Sequence, residues 1–180
     1  GRTTLIDVGE VNGRIFVNNS SLGLYATMLV LRRRREKLGW YRPVAFLQAL
    51  TIGLRRMPVM NVRLTVEGLQ VEKRTPILFV GNNEYELEGI RVGARKCLNS
   101  GRLFICLANG AGRADLIRMS LLALFGRLRS SNTLQAFTTN EALVEARHSV
   151  APVSVDGEVV LMDTPLHYRI RPACLRVLRP

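Results

Sequence analysis

Short β-prone runs follow one another at nearly even spacing through the second half of the chain, and nothing else constrains its fold as much. Leu134–Phe137, Ala142–Arg147, Val150–Val155, Glu158–Met162, Leu166–Arg171 and Leu175–Leu178 are each closed by turn residues. Such spacing predicts a β-sandwich, since each strand is too short to bury its apolar face except against a second sheet. The sharpest turns are Asn12-Gly13 and Asp156-Gly157, where a tight hairpin needs left-handed backbone that asparagine, aspartate and glycine tolerate. Val62, Leu64 and Val66 alternate with Arg63, Thr65 and Glu67, turn at Gly68 and return through Leu69 and Val71. Thr3–Val8, Gly13–Val17, Pro76–Val80 and Leu103–Ala108 complete the expected strands.

Helical patterns interrupt the strands in three places. Asn18, Asn19, Ser20 and Ser21 offer capping oxygens for a helix from Leu22 to about Glu36, whose last turn holds Arg32 to Arg35 at the negative end of the helix dipole. Gly39 stops it, and Pro43 opens a second helix over Val44–Leu54. A third follows Arg113, with Leu116, Ile117, Leu121, Leu124 and Leu128 on one face and arginines beside them, a pattern that suits a core helix or a membrane-surface helix. The expected class is therefore α+β but mainly β: a two-layer antiparallel β-sandwich with two or three flanking helices.

At 180 residues, 47% of them apolar, the chain is long enough to bury a substantial core. Its apolar stretch Leu22–Leu31 is about half the roughly 20 residues of a bilayer span, so no transmembrane helix is expected. The opening Gly1-Arg2-Thr3-Thr4 lacks a charged-then-apolar leader and reads as part of a longer protein. Cys97, Cys106 and Cys174 are odd in number and widely spaced, matching neither a disulfide framework nor a zinc site, which points to a reducing compartment. The net charge of +12 is carried mostly by arginine, the planar partner of phosphate, and favours anionic partners.

Few residues suggest chemistry. Asp156 and Glu158 stand two apart, a spacing that in extended chain puts both carboxylates on one face, where they could take a proton from a hydroxyl or ligate Mg2+. They could equally be two solvated acids closing a hairpin. Asn109-Gly110-Ala111-Gly112-Arg113 joins a strand to a helix as a phosphate cradle does, but Asp115 stands where a dinucleotide loop has its third glycine, so a plain connection is expected. Glu84, Glu86 and Glu88, in the aperiodic stretch from Asn82 to Gly101, read as solvated acids. No nucleophile elbow, Walker loop or His-Glu-x-x-His is present, and His167 reads as an outward strand residue.

Several pieces, in order, resemble one known family: Ile6-Asp7-Val8-Gly9, Asn18-Asn19-Ser20-Ser21-Leu22-Gly23, Val80-Gly81-Asn82-Asn83, Val155-Asp156-Gly157-Glu158 and Leu175-Arg176-Val177-Leu178-Arg179-Pro180. Essentially end to end, the chain is similar to the C-terminal half of the soluble, bacterial-type diacylglycerol kinases and sphingosine kinases. The resemblance implies that residues 1–180 form the β-sandwich lipid-substrate domain of a two-domain lipid kinase, and that an α/β nucleotide domain carrying a Gly-Gly-Asp-Gly-Thr motif precedes residue 1. It implies ATP and Mg2+ as cofactors. Asp156 and Glu158 match the family's acidic pair, one as base toward the lipid hydroxyl and the other near nucleotide-bound Mg2+, with Glu158 the metal candidate. Arg42 falls where sphingosine kinases place an arginine on the ATP phosphates, and Lys37 is a second candidate there. Ser100 replaces an aspartate that in bacterial members helps hold a structural Mg2+.

The implied activity is transfer of the ATP γ-phosphoryl group to a hydroxyl of diacylglycerol or a related lipid, by a cytoplasmic protein peripheral to the inner membrane face, with a homodimer as one possible state. This domain alone is expected to be inactive, because the phosphate-holding half is separate. A binding module for anionic membrane or nucleic acid is the alternative. Nucleic acid is the weaker version of it, with 6% aromatic residues and no reader motif. A domain that has lost catalysis and only binds lipid is a third reading.

Overall fold

The computed structural model describes residues 2–24, 26, 59–87, 94, 95, 97–110, 112, 114, 115, 118 and 134–179. Twelve strands among them form two six-stranded sheets. The first sheet runs β2 (Arg14–Phe16), β1 (Arg2–Val11), β12 (Leu166–Arg179), β9 (Glu141–Ala146), β4 (Met60–Val66), β5 (Leu69–Thr75). The second runs β11 (Glu158–Asp163), β10 (Val150–Val155), β3 (Asn19–Gly23), β6 (Ile77–Asn82), β7 (Leu103–Ala108), β8 (Leu134–Thr139). The strand pairings are antiparallel, and the expected mainly β sandwich is the fold observed.

Alternation decides which side chains meet between the sheets. Leu64, Val66, Val144, Leu166 and Tyr168 from the first sheet pack against Leu22, Leu78, Val80, Ile105, Val153 and Val155 from the second in one buried cluster. His167 points outward between buried Leu166 and Tyr168, as its place in the strand predicts. The outer face of the first sheet is a ladder of opposite charges. Arg63 contacts Glu72 and Glu145 across strands at 2.7 and 3.5 Å, and Arg169 and Arg171 both donate to Glu10.

The three expected tight turns are present, each with left-handed backbone at both central residues: Asn12-Gly13, Glu67-Gly68 and Asp156-Gly157. Two boundaries differ from expectation. Asn19–Gly23 is a strand of the second sheet, not the cap and first turn of a helix, because Ser20 Oγ meets Tyr168 Oη at 3.1 Å inside the core and Leu22 is buried there. The two runs ending the chain are one 14-residue strand, β12, which bulges where its register against β1 shifts between Ile6 and Val8 and where Ala173 has φ 48. Leu24, Ala26, Ala114, Asp115 and Arg118 are helical. The remainder of the helices expected over Leu22–Glu36, Val44–Leu54 and after Arg113 lies outside the described residues.

A close backbone approach fixes the start of the chain. Phe16, fully buried, lies opposite Gly9 in the β1–β2 pair, and a Cβ built on Gly9 would stand 2.2 Å from its ring. Only glycine leaves room for that ring.

Candidate active site

The chain crosses from the first sheet to the second at Val17-Asn18, between β2 and β3. Neither residue belongs to a ladder, so their backbone groups need other partners. The tip of the β10–β11 hairpin supplies most of them. Asp156 Oδ2 accepts the Val17 amide at 2.8 Å, and Oδ1 accepts the amides of Asn18 at 2.8 Å and Asn19 at 3.1 Å. The Asp156 amide in turn donates to the Asn19 carbonyl at 2.9 Å. Two amides occupy Oδ1 and one occupies Oδ2, so Oδ2 keeps an acceptor position.

The carbonyls of the crossing are held from the other side. Asn82 Nδ2 donates to the Val17 and Asp7 carbonyls at 2.9 and 2.8 Å, Arg95 Nη1 donates to the Val17 carbonyl at 2.9 Å, and the Tyr85 hydroxyl contacts the Asn18 carbonyl and Oδ1, both at 2.9 Å. Burial pushes the Tyr85 phenol above its ordinary pKa, and the charge of Asp156 acts in the same direction against that of Arg95. Asp156, Tyr85 and Arg95 therefore share one electrostatic neighbourhood around Asn18.

The i, i+2 reasoning that put Asp156 and Glu158 on one face does not describe this geometry. Asp156 has φ 47 and Gly157 φ 84, so the chain between the two acids is a tight turn rather than extended strand. Glu158, with its side chain 61% exposed, lies 3.4 Å from Arg14 of β2. The two acids share the hairpin tip and reach different parts of the β2–β3 segment. Lys37 and Arg42 lie outside the described residues.

Whether the residues suit a metal depends on which of their oxygens are engaged. Among the described residues no group of three or more histidine, cysteine or acidic side chains is arranged to hold a metal ion. Glu158 is a single accessible carboxylate, which fits the way Mg2+ is often shared between one or two carboxylates and substrate phosphates. The segment around Ser100 does not fit a structural cation. Ser100 Oγ and its amide both donate to Asn83 Oδ1, at 2.6 and 2.7 Å, while the Asp7 carboxylate accepts the Gly101 amide at 2.7 Å and the Ala173 amide at 2.9 Å. Asn83 Oδ1 is doubly engaged, and among the described residues no group of three acidic, histidine or cysteine side chains stands here to complete a cation's shell.

The glycine turn after β7 is filled in a similar way. Asp115 Oδ2 accepts the Gly112 amide at 3.0 Å and its carboxylate lies against Gly110, so the chain's own anion sits where a phosphate would have to go. Glu84 and Glu86 flank Tyr85, which pairs with Arg95 in a single bridge that folds the aperiodic stretch back on itself. Glu88 is outside the described residues. Two grooves on the outer face of the first sheet, of about 530 and 820 Å3, are lined by neither Asp156 nor Glu158.

Sequence reasoning marked Asp156 and Glu158 and missed Tyr85 and Arg95. Neither of the missed residues lies in a periodic segment, and a single bridge leaves no signature in sequence. Asn82 and Asp7 stood in the segments that carried the family resemblance, but their roles as a carbonyl clamp and a bulge clamp depend on partners far along the chain.

The family model described as the YegS C-terminal NAD kinase beta sandwich-like domain matches residues 29–179. Among solved structures, the chain is similar to one described as a diacylglycerol kinase from Bacillus anthracis str. Sterne, at TM-score 0.60 and 15% identity over 97% of this chain and 53% of that one. A further structure from the same organism, whose description also names diacylglycerol kinase, matches at TM-score 0.66 and 19% identity over 97% of this chain and 56% of that one. The chain thus spans a little over half the length of either, and at these identities the likeness is one of fold.

Proposed function

Because the chain belongs to the family of the YegS C-terminal NAD kinase beta sandwich-like domain, we propose that it is the substrate-side domain of an ATP-dependent lipid kinase that phosphorylates a hydroxyl of diacylglycerol or a related lipid. The observation that carries this reading is the match across residues 29–179, which includes the Asp156-Gly157-Glu158 tip. A nucleotide-binding domain preceding residue 1 holds most of the ATP in this proposal, which agrees with a chain about half as long as the structures it resembles.

In this reading Asp156 takes the acceptor's proton. Three amides fix its carboxylate, and the position left on Oδ2 can receive an O–H. Such fixing serves catalysis, since a base already held in place need not be ordered during the reaction. Glu158 stands at the exposed side of the tip, oriented by Arg14, and is the residue of this chain that would contribute to holding Mg2+. When bound, Mg2+ neutralises charge on the phosphates as the phosphoryl group moves. Arg42 and Lys37 are proposed for the phosphates on family resemblance alone. This chain by itself lacks the other half of the reaction centre and is expected to be inactive.

The alternative, a basic binding module, draws on the net charge of +12. Against nucleic acid stands the outer face of the first sheet, where Arg63, Arg169 and Arg171 are each paired with carboxylates of the same face and have less charge to offer to phosphates. Contact with an anionic membrane is compatible with the kinase reading. Among the described residues no helix is long and apolar enough to cross a membrane.

The test uses the full-length protein with ATP, Mg2+ and either diacylglycerol in mixed micelles or NAD, the acceptor that the family's name suggests. Phosphoryl transfer to the lipid is the expected result. Transfer to NAD alone, or to neither with salt-sensitive binding to DNA, overturns the proposal.

A further inference from the structure

One end of the first sheet's outer face departs from the charge pairing of the rest. Elsewhere on that face Arg63 is held between Glu72 and Glu145, and Arg169 and Arg171 are held by Glu10. One row further along, β4 presents Asn61, since Asn61 and Arg63 point outward while Val62 and Leu64 fill the core. Register puts Arg74 of β5 directly opposite Asn61, and Val62 opposite Ala146 puts the next residue, Arg147, on its other side. The row therefore reads arginine, asparagine, arginine, and it holds no acid. All three residues are exposed, and none of their side chains has a hydrogen-bond or ion-pair partner among the described residues.

These three residues line the groove of about 530 Å3, together with Arg63, Glu72 and Glu145. The row lies at the strand ends: Asn61 is the second residue of β4, Arg74 the last but one of β5, and Arg147 follows β9. Met60 packs against Gly23, at the opposite end of β3 from Asn19, whose amide Asp156 holds, so the row is remote from the candidate active site. Because neighbouring strands stand about 4.8 Å apart, Arg74 and Arg147 are roughly 10 Å apart across Asn61. Two long side chains can close that span on one phosphate, each guanidinium giving paired N–H donors and the Asn61 amide a further one. Glu72 and Glu145, engaged by Arg63, border the groove one row in, so an anion is accepted at the strand ends and repelled beyond them.

We propose that Arg74, Asn61 and Arg147 bind the phosphate of an anionic phospholipid headgroup and so seat the protein on a membrane surface. The layout of charge argues against other anions. A nucleic-acid strand lying along the groove would bring its next phosphates to Glu72 and Glu145, and no aromatic side chain among the lining residues offers its bases a platform. A single soluble phosphate would be held by exposed guanidiniums alone, and exposed ion pairs contribute little in water. At a membrane the same two arginines lie in the field of many headgroups, where each adds about fivefold to binding. The inference stands apart from the kinase reading, since it concerns where the protein rests on a lipid surface and not which acceptor is phosphorylated.

The test is co-sedimentation of the full-length protein with vesicles of phosphatidylcholine alone or mixed with phosphatidylglycerol, whose headgroup carries a net negative charge. Wild type is expected to bind the mixed vesicles only, with an affinity that falls as salt rises. Arg74→Gln/Arg147→Gln should weaken that binding about twentyfold. Its thermal midpoint should not fall, because the guanidiniums removed have no partner in the fold. Arg2→Gln/Arg176→Gln takes the same charge from exposed arginines outside the groove. It should weaken binding by no more than about twofold, since charges beyond a Debye length of the membrane are screened. Equal losses in the two variants, or none in the first, overturn the inference. So does DNA binding by wild type that the first variant loses to the same extent. Release of wild type from vesicles by soluble glycerol phosphate, beyond what chloride of the same ionic strength achieves, would assign the row to a soluble phosphate and overturn it too. Sedimentation reads no turnover, so a protein that binds through Arg74 and Arg147 but phosphorylates no lipid would sink the kinase reading and leave the headgroup site standing.

Discussion

Asp156 Oδ1 accepts the backbone amide of Asn18 at 2.8 Å, across 138 positions of sequence. That bond, with those to Val17 and Asn19, ties the tip of one hairpin to the segment where the chain passes between sheets. The residue proposed as base is thus also a clamp, and its two roles can be separated by substitution.

Asp156→Asn keeps one carbonyl oxygen for the crossing and removes the charge. Turnover of the full-length enzyme should fall at least about a hundredfold, the lower end for an acid-base group. Asp156→Ala also strips all three amides of their acceptor, and should cost about 2 kcal/mol more and lower the melting midpoint by roughly 4–8 °C. Steady-state kinetics and thermal melts of both variants check this. Near-normal turnover in Asp156→Asn would leave only the clamp.

Glu158→Gln should leave the melting midpoint within about 1–2 °C of wild type, since an exposed pair with Arg14 contributes little. The Mg2+ concentration for half-maximal turnover should rise several-fold. A Mg2+ titration identical to wild type would remove Glu158 from the metal site.

Glu10 tests the charge ladder. Burial alone would raise its pKa, but the hydrogen bonds and charges of Arg171 and Arg169 outweigh that and lower it from the ordinary 4.5. A carboxylate lowered on folding stabilises the protein above its unfolded pKa, and that contribution is lost as pH falls through the folded value. Glu10→Gln should therefore melt below wild type at pH 7, with the gap closing below pH 4.5. A gap independent of pH between 7 and 3 would contradict this.

Gly9→Ala should destabilise by about 1–3 kcal/mol, as overpacking does, because its methyl group would meet the Phe16 ring. Adding Phe16→Leu should recover part of that loss relative to Phe16→Leu alone. Denaturant titration of the three variants measures the coupling.

Chelation of divalent ions should leave the melting midpoint unchanged, since Ser100, Asn83 and Asp7 already close the loop before β7 with hydrogen bonds. Ser100→Ala should lower the midpoint instead. A fall on adding chelator that Mg2+ reverses would show a structural cation after all.

The strands and their turns were legible in the sequence because alternation and turn chemistry are local. Asn12-Gly13 and Asp156-Gly157 specify left-handed backbone whatever surrounds them, and Val62, Leu64 and Val66 mark a buried face by their period. The composition of Asn18 to Ser21 suits a helix cap, and only distant partners decide otherwise: Ser20 meets Tyr168, 148 positions away, and β3 is hydrogen-bonded on both sides, by β10 and β6. Asp156 and Glu158 were visible as a pair of acids, but spacing could not show that one holds three amides while the other meets Arg14. The row of Arg74, Asn61 and Arg147 was hidden for the same reason, since it comes from three segments brought into register. The sequence by itself determined where the chain extends and where it turns, because those choices depend on neighbours a few bonds away. Only the tertiary structure decided which polar groups are engaged and which are left over, because a hydrogen bond's partner depends on distances between strands that lie far apart along the chain.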